Sequence, residues 1–101
     1  MKLLSTIVLA SVVVFSGSVL AGDAGAGKSA YAAKGCIGCH GAGGVSAVPT
    51  YPSLKGRDAA FVKENLTNLR SGKRVSAVMN AMSAGLSDAD IENLAAYIGS
   101  L

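Results

Sequence analysis

The chain has 101 residues, which is enough for one domain, and half of its residues are hydrophobic. Nine basic and six acidic residues give a net charge of +3, and the aromatic residues are three tyrosines and two phenylalanines. Such a small positive charge, with no long basic run and few aromatic side chains, argues against a nucleic-acid-binding surface. The composition leaves two cysteines and one histidine as the first place to look for chemistry.

The first 21 residues have a different composition from the rest. Lys2 precedes an apolar run over residues 7–15, and Ala21 stands before Gly22. This pattern predicts a secretory signal peptide, residues 1–21, with Gly22 as the first mature residue. The alternative is that this segment stays as a membrane anchor, although several serines dilute it. Cleavage leaves a domain of residues 22–101 with a net charge of +2.

Three segments of the mature chain predict helices, and none predicts a strand. Asp23, Asp58 and Ser87 are the predicted N-caps, and Gly35 and Gly72 follow the ends of the first two helices. Apolar residues recur at helical spacing in the second and third helices. They are Phe61, Val62, Leu66 and Leu69 in the second, and Ile91, Leu94, Ala95 and Ile98 in the third.

The connecting segments are rich in glycine, proline and serine. Residues 41–56 predict a loop, and residues 73–85 predict a short irregular stretch before the last helix. The fold is therefore predicted to be all-α, with three main helices. A domain of this size buries only about 60% of its unfolded surface and usually needs a disulfide, a metal or a large ligand.

Both cysteines and the only histidine lie in "CIGCH", residues 36–40. A disulfide here would close a loop of two residues and stabilise the fold very little. A structural zinc site needs a second pair of ligands, and a thioredoxin-like dithiol needs a βαβ setting. A cysteine nucleophile activated by histidine leaves the other cysteine without a role.

Covalent haem attachment by Cys-x-x-Cys-His gives every residue of the motif a role. On one helical turn Cys36 and Cys39 lie on the same side, so both thiols can bond to the two vinyl groups of one porphyrin. His40, the next residue, can place its imidazole under the iron. Haem is also the large apolar ligand that a small domain needs, and its attachment outside the cytoplasm agrees with the export signal.

The sixth position of the iron has two candidate ligands in the mature chain. Met79 and Met82 both precede the last helix, far enough from His40 to reach the opposite face of the haem. A methionine there is typical of an electron carrier and raises the reduction potential. Spacing alone leaves both methionines open.

Residues 22–101 resemble the class I cytochromes c, in particular the small bacterial periplasmic type with a single haem. The resemblance depends on "CIGCH", on "YPSLKG" after the glycine-rich loop, and on "MNAMSAGLSDADIENLAAYI" at the end. It implies loops wrapped around one covalently attached haem c and crossing terminal helices. Gly27 and Tyr31 of the first helix are then expected to meet Leu94 and Tyr97 of the last.

The resemblance also implies particular roles around the iron. It places the ligand methionine eight residues before Ser87, at Met79, with Met82 as the alternative that otherwise packs on the haem. The family often has proline directly after this ligand, where Asn80 stands here.

Other residues are expected to orient the histidine ring and to contact the porphyrin. The resemblance gives the carbonyl of Pro52 as the acceptor for the His40 ring, with Pro49 as the competing residue, and has Leu54 packing on the haem. Arginine suits carboxylates, so Arg57 and Arg74 are candidates for the haem propionates.

The predicted function is a soluble periplasmic electron carrier with His40 and Met79 as axial ligands and no enzymatic activity. Its partners would be transient redox proteins, a reductase and a terminal oxidase or other acceptor, with the membrane reached only through them. The carrier is expected to be a monomer. The alternatives are a haem protein that binds ligands at an open sixth position, as a gas sensor or peroxidase-like enzyme does, and a carrier anchored by residues 1–21.

Overall fold

The computed structural model describes residues 22–101 of the chain. The predicted signal peptide, residues 1–21, lies outside the described residues. Within the described part, no helix is both long and apolar enough to cross a membrane.

Helices make up all the regular structure of residues 22–101, which confirms the all-α prediction. The elements in chain order are α1 (Ala24–Ala33), α2 (Cys36–His40), a 3-10 turn (Ala42–Gly44), α3 (Ala59–Ser71), α4 (Ala77–Ala84) and α5 (Asp88–Gly99). The predicted caps are also confirmed. The side chains of Asp23, Asp58 and Ser87 accept hydrogen bonds from backbone N–H groups in the first turns of α1, α3 and α5.

The terminal helices α1 and α5 cross in close contact, as predicted. A Cβ atom added to Gly27 would lie 1.9 Å from the backbone oxygen of Asn93 and 2.7 Å from Cβ of Tyr97. Only glycine allows the two backbones to approach this closely. Beside this contact, the rings of Tyr31 and Tyr97 are tilted by 56°, with their centroids 5.4 Å apart.

The core lies between α1, α3 and α5. Its buried apolar residues are Tyr31, Val62, Leu86, Ile91, Leu94, Ala95 and Ile98. Arg70 connects α3 to the start of α5, since its guanidinium donates to the carbonyl of Leu86 and to the carboxylate of Asp88, at 3.1 and 2.6 Å. These contacts hold the end of α3 against the start of α5.

The segment before α5 differs from the sequence prediction, because α4 stands where an irregular stretch was expected. Two turns are too short for an apolar period to show. In addition, the N-cap residue Ser76 makes no side-chain capping bond. The backbone N–H of Ser76 instead donates to the side-chain oxygen of Asn80 at 2.7 Å. This capping by a residue inside the helix is not a pattern that a search for Ser, Thr, Asp or Asn caps detects.

Candidate haem site

The two cysteines and the histidine stand on the short helix α2, directly after the end of α1. Gly35 joins the two helices with φ of +80°, a conformation that glycine adopts at little cost. Both cysteines are free thiols and partly buried. Burial raises the pKa of the Cys36 thiol, so this sulfur is held in its neutral form.

The His40 side chain is buried and its orientation is fixed by one hydrogen bond. Nδ1 lies 2.7 Å from the carbonyl oxygen of Pro52, the residue that the family resemblance indicated rather than Pro49. A carbonyl only accepts, so Nδ1 carries the proton and donates it to this bond. Nε2 is then the unprotonated nitrogen with a lone pair available for a metal.

Hydrogen bonds hold the loop that carries Pro52 at two points, one within the loop and one to α1. The carbonyl oxygen of Gly44 accepts from the backbone N–H groups of Leu54 and Lys55, at 2.8 and 3.0 Å. The Tyr31 hydroxyl of α1 donates to the carbonyl of Gly41 at 2.6 Å, just after the histidine. Burial is the largest cause that raises the pKa of Tyr31 to about 12, so the donor keeps its proton at neutral pH.

Two neighbouring cavities, of about 200 and about 320 Å³, open around His40. The residues that line both of them are Cys36, His40, Pro52, Leu66, Arg74, Ser76 and Met79. The apolar face predicted for α3 lines the first cavity with all four of its members, Phe61, Val62, Leu66 and Leu69. Cys39 lines only the second.

The two methionines of α4 differ in their relation to these cavities. Met79 is partly buried and lines both cavities together with His40. Met82 lines only the second cavity, is 41% exposed, and has its terminal methyl beside Gly35. The structure thus brings Met79 together with His40, while Met82 lies at the rim.

The remaining predicted residues lie at the edges of the first cavity. Leu54 lines it, and so does Arg57, whose guanidinium stands 4.9 Å from the ring centre of Phe61. Arg74 lines both cavities and donates to the side-chain oxygen of Asn65 at 2.5 Å. Both arginines are exposed, so each can reach a carboxylate at the cavity mouth.

The walls of the cavities fit a large flat apolar group. Phe61, Tyr51 and Val78 are 40%, 41% and 60% exposed although they line them. Exposed apolar side chains gathered around one opening indicate a bound partner or ligand. Two free thiols and an imidazole at the same opening are the groups that Cys-x-x-Cys-His offers to haem, and a methionine thioether is a ligand that haem iron accepts.

Two polar residues of the site were not identified from the sequence. Ser83 on α4 is fully buried, lines the second cavity, and its hydroxyl makes no hydrogen bond within residues 22–101. Asn80, next to Met79, makes three hydrogen bonds to backbone groups. The only sequence signal for Asn80 was that it stands where the resembling family often has proline.

A family model described as "Cytochrome C oxidase, cbb3-type, subunit III" matches residues 22–98. The chain therefore belongs to this family of cytochromes c. As in the family, its cofactor is covalently bound haem c, and it is an electron-transfer protein.

Among individual relatives, cytochrome c-554(548) of Halomonas halodenitrificans is 40% identical over 83 residues, which cover 79% of this chain and 98% of the relative. Cytochrome c4 of Pseudomonas aeruginosa is 38% identical over 80 residues, but the match spans only 39% of that protein. Among solved structures, cytochrome c4 of Acidithiobacillus ferrooxidans superimposes with a TM-score of 0.72 and 29% identity. This match covers 85% of the present chain and 54% of that one.

Proposed function

We propose that the mature chain is a soluble, monomeric, single-haem electron carrier of the periplasm, with His40 and Met79 as the axial ligands of the iron. The observation that carries the proposal is that Met79, His40 and Cys36 line the same two cavities. When bound, haem c supplies a one-electron couple between ferric and ferrous iron. The residues of the chain hold it, set its potential and exclude other ligands.

Cys36 and Cys39 attach the porphyrin. Each thiol would hold the porphyrin through one thioether bond to one of its vinyl groups. The burial that raises the pKa of Cys36 disfavours its thiolate, which limits disulfide formation before attachment. Two thioether bonds keep the cofactor with the protein through every oxidation and reduction.

His40 would bind the iron through its imidazole. Because Nδ1 donates to Pro52, the ring cannot rotate freely and Nε2 remains available for the iron. The neutral thioether of Met79 would also bind the iron, where it would favour the ferrous state and raise the potential. Leu54 would pack on the porphyrin, and Arg57 and Arg74 would offer guanidinium groups to the propionates.

A carrier role follows from filling both axial positions, because no substrate then reaches the iron. This supports a protein without enzymatic activity of its own. Export by a signal peptide, residues 1–21, places it in the periplasm. Its partners are a reductase and a terminal oxidase or other acceptor, which dock through small and transient interfaces.

Carbon monoxide tests the proposal against a ligand-binding haem protein. We expect the reduced holoprotein at neutral pH to bind carbon monoxide slowly and incompletely, because Met79 occupies the sixth position. The visible spectrum before and after addition is the measurement. Rapid and complete binding would mean an open iron and would overturn the carrier function.

The mass of the mature protein tests export and attachment together. A protein that begins at Gly22 and carries one haem on two thioethers is expected. A mass that includes residues 1–21 would instead support a membrane-anchored carrier, and a mass without haem would exclude the whole proposal.

A further inference from the structure

Asn80 follows Met79 directly, and its side-chain amide makes three hydrogen bonds to backbone groups in three different segments. Its nitrogen donates to the carbonyls of Leu69 and Arg74, both at 2.8 Å. Its oxygen accepts from the N–H of Ser76 at 2.7 Å. One half-buried side chain thus connects the end of α3, the loop after it and the start of α4.

Two of these backbone groups, at Leu69 and Ser76, have no hydrogen-bond partner within their own helices. The carbonyl of Leu69 is one of the last four of α3, and no N–H group of that helix donates to these carbonyls. The N–H of Ser76 belongs to an N-cap residue whose own side chain makes no capping bond. Rotating the amide by half a turn would face oxygen against two carbonyls, so its orientation is fixed by its partners.

Met79, the residue before Asn80, lines the haem cavity together with residues of α3. Leu69 is buried and lines the first cavity together with Met79. A side chain that bonds to the backbone of Leu69 therefore sets the distance between the α3 wall and the segment of the methionine. A thioether is a weak neutral ligand, so how often it leaves the iron depends on how firmly its backbone is held.

We propose that Asn80 is a positioning residue that keeps Met79 at the haem iron by fastening the start of α4 to α3. This inference rests on the proposed role of Met79 as axial ligand. In the resembling family a proline often follows the ligand methionine and restricts the backbone there, and Asn80 stands at that position in this chain. It acts through hydrogen bonds to neighbouring segments rather than through a restricted backbone.

The test compares holoprotein variants Asn80→Ala and Asn80→Ser with the control Asn93→Ala. Asn93 also joins two segments, because its side-chain oxygen accepts from the N–H of Asp23 at 2.9 Å, but it lines neither haem cavity. We expect Asn80→Ala to weaken the sulfur-to-iron charge-transfer band of the ferric protein and to lower the reduction potential. Carbon monoxide should bind the ferrous variant about tenfold faster, as expected from losing hydrogen bonds that close the segment.

The control should lower the unfolding temperature without changing the band, the potential or the rate. If Asn80→Ala does the same, Asn80 is only structural and the inference is wrong. If the alanine variant does not fold, the serine variant is read by the same criteria, since its hydroxyl is too short to keep all three bonds. Met79→Ala is run in parallel. If Met79→Ala keeps the wild-type band and potential, the assignment of Met79 as ligand is wrong. If Met79→Ala loses the band and Asn80→Ala keeps it, only the role of Asn80 is rejected.

Discussion

The crossing of α1 and α5 and the side formed by α3, α4 and the loop at residues 41–58 are packed to different degrees. At the crossing, Tyr31 and Leu94 are almost fully buried and the backbones touch at Gly27. On the other side, Phe61 and Met82 are about two-fifths exposed beside the cavities. The first region is completed by the polypeptide alone, and the second requires its cofactor. Stability and redox properties should therefore respond to different substitutions.

Removal of haem is expected to have the largest effect, because only one of the two regions depends on it. Without the porphyrin, α3 and α4 line cavities that no apolar group fills, and the crossing alone buries too little surface to hold 80 residues. We expect the haem-free chain to unfold without a cooperative thermal transition. Calorimetry of protein expressed without cytochrome maturation is the measurement. A sharp transition would mean that the crossing region folds independently.

Gly27→Ala is expected to damage the crossing. The new methyl group would lie 1.9 Å from a backbone oxygen of α5, so the helices must separate, at a cost of about 3 kcal/mol in the free energy of unfolding. The spectrum of the folded variant should remain that of the wild type. Gly85→Ala is the matched control, since its methyl meets no atom within 4 Å and its φ of −87° suits alanine. A variant at Gly27 as stable as the control would refute the close contact.

Met79→Ala should have the opposite pattern, a changed site on an intact crossing. Loss of the sulfur ligand is expected to lower the reduction potential by on the order of 0.1 V, about 2.3 kcal/mol for one electron, and to let external ligands bind. Potentiometry and carbon monoxide titration are the measurements. Met82→Ala should leave both unchanged, because Met82 lies at the rim. The reverse result would make Met82 the ligand.

The same division explains what could be predicted from the sequence. The caps Asp23, Asp58 and Ser87 act on their own helices, so a local pattern identifies them. The motif at residues 36–40 is equally local, because attachment needs its spacing on one helical turn. The meeting of Gly27 with α5 needed the family resemblance, since two segments far apart in the sequence must come together.

What the sequence did not reveal depends on contacts between segments. Helix α4 begins where it does because Asn80 bonds to Ser76 and, through Leu69 and Arg74, to the end of α3 and the loop after it. Of these partners only Leu69 lies outside residues 73–85, and a bond from a side chain inside the helix back to its N-cap residue is not a pattern that predicts a helix start. Phe61 is a second example. Its position in the apolar stripe of α3 predicted a buried residue, but it lines the cofactor cavity and is partly exposed.

Tyr31 joins the two regions, and its replacement should have the smallest effect. Its ring packs in the crossing, while its hydroxyl donates to Gly41 beside the haem histidine. Tyr31→Phe removes only this hydrogen bond and should cost about 1 kcal/mol at pH 7. Tyr51→Phe is the control, because its ring is 41% exposed and little should change.

The pH dependence of stability tests the burial of the Tyr31 hydroxyl. Burial raises the pKa of Tyr31 to about 12, above the ordinary value of 10, so the unfolded chain loses this proton first. The stability that Tyr31 contributes is thus fully present below pH 10 and is lost as the pH rises through 12. The unfolding free energy of the wild type should therefore fall relative to that of Tyr31→Phe over this interval, until the variant is the more stable protein, as measured by denaturant titration at each pH. A constant difference would mean that the Tyr31 hydroxyl is not buried in the folded protein, contrary to its raised pKa.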